Sequence, residues 1–141
     1  MKKMYFFLVA FFCVLINPAL NAQSADALEA ALISSSDVDV TIINDATYPW
    51  VVDSVNACIA NGNLGHAYTS SIITISYTSE RATEFKVDWS CYGQSNYHVL
   101  ELYIDGIRKE STTSNSYSTP RYYLPAGEHV ITFRDTMYNR T

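Results

Sequence analysis

The sequence predicts an all-β protein, an antiparallel β-sandwich of the jelly-roll type with one short helix ahead of it. Three observations carry this reading. From Asp37 onward apolar and polar residues alternate with a period of two, the pattern of half-buried strands. Turn signals, among them Asp105-Gly106 and Pro125-Ala126-Gly127, separate the alternating runs. No helical spacing lies between them, which excludes an α/β fold.

The first 22 residues are set apart from that domain. Met1-Lys2-Lys3-Met4 is followed by an uncharged apolar run from Tyr5 to Ile16. Asn17-Pro18 breaks the run, and Ala19-Leu20-Asn21-Ala22 supplies small residues for cleavage. This is the plan of a secretory signal, and the apolar run is shorter than the ~20 residues a membrane span needs. Cys13 lacks the small residues that precede a lipidated cysteine. Cleavage after Ala22 leaves 119 of the 141 residues, removes Lys2 and Lys3, and takes the net charge from −5 to −7. The chain is therefore expected to be exported: secreted, periplasmic or on the outer cell surface. Its acidity argues against a nucleic-acid partner, which requires a basic face. No second apolar run follows, so no membrane span is expected after cleavage.

Residues 23–36 read as a short helical leader, capped by Ser24, with Ala27, Leu28, Ala31 and Leu32 at helical spacing. Residues 37–141 read as the sandwich domain. Val38, Val40 and Ile42 alternate with Asp37, Asp39 and Thr41, and Ile73, Ile75 and Tyr77 repeat the pattern. In Thr83–Cys91, Phe85, Val87, Trp89 and Cys91 share one face. Leu100, Leu102 and Ile104 point inward, and Asp105-Gly106 predicts a hairpin into Ile107–Ser111. Tyr117–Leu124 is the next extended segment, with Pro120 marking an edge or bulge. Glu128–Asp135 follows, with Ile131 and Phe133 facing in. Trp50 and Trp89 are assigned to the core.

Several motifs occur in an order that resembles extracellular jelly-roll domains of the MAM-like and cleaved-adhesin type. They are Tyr48-Pro49-Trp50, Phe85-Lys86-Val87-Asp88-Trp89-Ser90, Leu102-Tyr103-Ile104-Asp105-Gly106, Tyr123-Leu124-Pro125-Ala126-Gly127-Glu128-His129 and Phe133-Arg134. The resemblance covers roughly residues 40–138. It implies a non-catalytic adhesin-like module of a bacterial surface protein, often found beside leucine-rich repeats, that contacts a host or cell-surface glycan or protein. Such domains end with one more strand, pairing back near the first, which this chain lacks. The domain is therefore expected to be truncated at its C-terminus, with an open C-terminal edge where a partner strand can pair.

Two other readings stand beside the adhesin. A carbohydrate-binding module would stack sugars on loop tyrosines and bond their hydroxyls with amides, which selects Tyr92, Asn96 and Tyr97 in one loop and Asn115 and Tyr117 in another. A fragment of a secreted hydrolase is the third reading. No Gly-x-Ser-x-Gly, His-Glu-x-x-His or phosphate loop supports it, and Asp88 and Glu101 fall on outward faces. No catalytic residue is assigned.

After cleavage only Cys58 and Cys91 remain. In an oxidising compartment they form either a disulfide, worth about 3–4 kcal/mol for a loop of this length, or two buried thiols. Cys58, His66, Cys91 and His98 make a zinc set only on paper, because no Cys-x₂₋₄-Cys knuckle is present, and no metal ligand is assigned. Structural calcium would fall to Asp45, Asp53 or backbone oxygens, without an Asp-x-Asp-x-Asp loop to hold it.

Overall fold

A computed structural model describes residues 25–32, 38–54, 56, 58–91 and 97–138. The expected signal segment 1–22, and Tyr92 and Asn96, lie outside the described residues. The chain is mostly β. Among the described residues one helix, α1 (Ala25–Leu32), precedes nine strands: β1 (Asp39–Asn44), β2 (Val51–Asp53), β3 (Cys58–Ala60), β4 (Thr69–Ser79), β5 (Thr83–Lys86), β6 (His98–Ile104), β7 (Ile107–Thr112), β8 (Arg121–Leu124) and β9 (Gly127–Met137). Five of them form one antiparallel sheet in the order β1-β4-β9-β6-β7, and β2-β3 and β5-β8 form two-stranded sheets. Among the described residues no helix is long and apolar enough to cross a membrane.

The period of two sets which face is buried. Ile73, Ile75 and Tyr77 of β4, Leu100, Leu102 and Ile104 of β6, and Ile131 and Phe133 of β9 all enter one core. Phe85 and Leu124 of the β5-β8 pair join the same cluster, as do Val87, Trp89, Trp50, Ile59 and Leu28. Both tryptophans are buried, as their positions predict. Leu28 brings α1 into the core, so the helix is packed rather than trailing.

Thr83–Cys91, expected as one strand, keeps ladder pairing only over Thr83–Lys86. Beyond that, Val87 N–H donates to the Pro120 carbonyl at 3.3 Å, and Trp89 and Ser118 form an isolated bridge. Pro120 has no N–H to return, so the ladder breaks there, and Tyr117–Leu124 is reduced to β8 and that bridge. Strands β2 and β3 were not expected, because three residues are too few to show an alternation.

The hairpin turn forms as Asp105-Gly106 predicts, with φ of 52° and 76°. Its position is secured by β9: Asp105 N–H donates to the Val130 carbonyl at 2.8 Å, and Val130 N–H donates to Asp105 Oδ1 at 2.9 Å.

The last strand, β9, lies in the middle of the large sheet and pairs with β4 on one side and β6 on the other. The sheet's outer strands are β1 and β7, because the long β9 pattern enters between two strands that precede it in sequence.

Candidate functional site

One end of the large sheet collects most of the chemistry. There Thr69 of β4, Met137 of β9 and His98 of β6 lie opposite one another. One residue outward on each strand stands a tyrosine: Tyr68, Tyr138 and Tyr97. All three are exposed, at 81%, 51% and 41%. Tyr138 N–H donates to the Tyr97 carbonyl at 2.6 Å, which holds the last two strand ends together. Tyr68 has a φ of 61°, a left-handed backbone that a tyrosine rarely adopts. It follows a loop that Gly62 lets approach closely: a Cβ there would come within 2.4 Å of the Pro49 carbonyl oxygen.

The second of the two loops selected from the sequence reaches the same end through Cys91, which lies beside His98. Cys91 N–H donates to the Ser114 carbonyl at 2.8 Å, so the loop bearing Asn115 and Tyr117 is joined to the chain just before Tyr92. Asn115 is exposed and Tyr117 is 56% exposed. Register thus brings Tyr97 to the same end of the sheet as Tyr138 and Tyr68, both far from it in sequence. Tyr68 and Tyr138 were missed because each lies just outside an alternating run. Tyr122 is half-buried instead: its hydroxyl donates to Glu110 at 2.8 Å and its ring stacks on Phe85.

Beneath the tyrosines lies a buried polar cluster. Cys91, His98 and Asp135 each offer one atom, and these atoms lie within 4.8 Å of one another. The three residues are 2–3% exposed. His98 Nε2 is 2.5 Å from Asp135 Oδ1. Burial disfavours a charged His98, but its hydrogen bonds to Asp135 and Cys91 outweigh that, and its pKa is pushed up to about 10. Burial likewise raises the Asp135 carboxyl, against the pull of His98. One proton is held between the two groups in the His98 Nε2–Asp135 Oδ1 hydrogen bond. Asn63 Nδ2 donates to the Asp135 carbonyl at 3.2 Å, and Asn61 Nδ2 donates to Asn63 Oδ1 at 2.6 Å. Strand parity carried a signal for this cluster. Asp135 shares the inward face of Ile131 and Phe133, His98 that of Leu100, and Cys91 that of Trp89. A polar residue at three core positions is the anomaly that parity alone exposes.

The other sequence candidates have local employment. Cys58 and Cys91 are both buried, and no disulfide joins them. His66 is exposed, with its ring against Tyr48 at 5.1 Å, and takes no part in the buried cluster. Asp45 Oδ1 accepts from the Thr47 and Tyr48 N–H groups, and Asp53 accepts from Asn56, so these carboxylates stabilise turns. Asp88 accepts from Thr119, and Glu101 accepts from Arg108 and Tyr103.

No protein-family model, curated protein or solved structure matches this chain.

Proposed function

We propose that this chain is an exported, non-catalytic, adhesin-like binding module with a jelly-roll β-sandwich fold, and that it takes a glycan on the tyrosine-bearing end of its large sheet. The sandwich reading rests on the shared core, in which one face of the large sheet and the β5-β8 pair contribute to a single cluster. Export rests on the Met1–Ala22 pattern. The absence of catalysis is supported by the burial of Cys91, His98 and Asp135, the group that comes nearest to a nucleophile with a base and an orienter.

The observation that carries the glycan reading is the row Tyr68, Tyr138 and Tyr97 on three neighbouring strands. A tyrosine ring presents an apolar face for the C–H side of a sugar and a hydroxyl for its oxygens. The three strand ends that carry them are neighbours in the sheet, where strands lie ~5 Å apart. Asn115 and Tyr117 are exposed in the loop that is tied to Cys91.

A glycan array with the mature chain tests this. Binding is expected, and Tyr68→Ala, Tyr97→Ala and Tyr138→Ala should each lower affinity about tenfold, the loss of roughly 1–1.5 kcal/mol per ring. Tyr123→Ala serves as the control, since Tyr123 is 80% exposed but lies on β8. Full affinity in the triple variant, or no binding to any glycan, would overturn the reading.

A further inference from the structure

We propose that Cys91, His98 and Asp135 form a structural binding site for a thiophilic divalent cation, zinc by its chemistry. Three different ligand types converge there: a thiol sulfur, an imidazole nitrogen and a carboxylate oxygen, all within 4.8 Å. A tetrahedral zinc site with bonds of about 2.0–2.3 Å places its ligand atoms roughly 3.3–3.8 Å apart. The cluster is within a small side-chain rotation of that spacing. His98 and Asp135, now 2.5 Å apart, open slightly as the ion enters, and Cys91 closes in. The soft sulfur and the imidazole select zinc over calcium, which wants six to eight oxygens.

Charge and burial point the same way. Cys91 is part of the hydrophobic core cluster, and His98 and Asp135 are buried with it. Ionisable groups there are costly unless paired or bound to a metal. On binding, the cation displaces the proton shared by His98 and Asp135 and the proton of the Cys91 thiol, so two positive charges enter as two protons leave. Asn63 and Asn61 hydrogen-bond to the Asp135 carboxylate and to each other, and supply the outer support that orients a ligand. The ligands come from the segment before β6, from β6 and from β9, so the ion would clamp the end of the sheet directly under the tyrosine row. Full burial makes the role structural. The proposal is independent of the glycan reading: either can fail alone.

The test uses cobalt(II) and zinc on the mature, folded chain. Cobalt should give a thiolate-to-metal charge-transfer band at one ion per chain, displaced by zinc. Cys91→Ser should abolish the band, and His98→Ala and Asp135→Asn should each weaken binding at least tenfold. Cys58→Ser should leave it unchanged. In case the variants fail to fold, the unsubstituted chain carries a second readout. Zinc should slow alkylation of Cys91 at least tenfold, mapped by peptide mass, while Cys58 labelling stays as it was. A chain that shows no cobalt band and no zinc protection of Cys91 overturns the site, as does a band that survives Cys91→Ser.

Discussion

At the residue scale, Gly62 shows how one missing Cβ permits the candidate site. The loop from Asn61 to Tyr68 lies against the backbone of Tyr48 and Pro49, with Gly62 N–H donating to Ser71 Oγ at 3.4 Å. Ser71 in turn donates to the Tyr48 carbonyl. A methyl group at position 62 would meet three backbone atoms of Tyr48 and Pro49 within 3 Å, and backbone cannot rotate away as a side chain can. Gly62→Ala is therefore expected to destabilise the chain by about 1–3 kcal/mol, measured by urea unfolding. A loss near zero would show that the loop can shift without cost. Nothing in the sequence around Gly62 distinguishes it from a turn glycine, because its constraint comes from a segment thirteen positions earlier.

At the element scale, the β6–β7 turn and β9 are joined through His129. Its Nδ1 lies 2.9 Å from Asp105 Oδ2, and its Nε2 lies 3.0 Å from the Pro125 carbonyl. Both neighbours are acceptors, and only the imidazolium donates from both nitrogens. Burial works against that charge, but the bonds to Asp105 and Pro125 prevail and raise the His129 pKa from its ordinary 6.5. Asp105 moves the other way. Slight burial opposes its charge, while the Val130 N–H and His129 lower its pKa from 3.8. The signs follow from linkage. The His129 contribution is complete below pH 6.5 and is lost as pH rises through its folded value. The Asp105 contribution is present above pH 3.8 and is lost as pH falls through its lowered value. The link should thus be strongest between about pH 4 and 6.5. His129→Gln should cost about 1 kcal/mol in that window, a modest figure because Asp105 is well exposed, and should flatten the alkaline fall in stability. Unfolding curves of both chains across pH 4–9 check this, and parallel curves would count against it.

This element was half legible beforehand. Asp105-Gly106 announced its own turn, and Pro125-Ala126-Gly127 announced the entry to β9. That the two turns lie side by side could not be read, because local signals say where the chain reverses and not which strand it reverses beside. The same limit explains β9. Its alternation identifies it as a strand, yet its place between β4 and β6 depends on pairing partners from distant parts of the chain.

At the scale of the whole molecule, stability rests on one core and not on a covalent clamp. Cys58 and Cys91 are separate thiols in this fold. A reducing agent should leave the melting transition of the purified mature chain unchanged. Loss of a bridge closing this loop would instead cost about 3–4 kcal/mol, visible as a fall of many degrees. The result decides between the two states that the cysteine count left open.

The sequence by itself determined which side of the long strands β4, β6 and β9 is buried. Phe85, Val87, Trp89 and Cys91 sit inward because side chains alternate across a pleated strand. It also determined the turns, because only certain residues tolerate a positive φ. Only the tertiary structure decided that Cys91, His98 and Asp135 meet, and that Tyr68, Tyr97 and Tyr138 end neighbouring strands. The reason is register. Parity is a property of one strand, whereas neighbours across a sheet are set by how strands far apart in the chain align, and that alignment is a choice of the whole core.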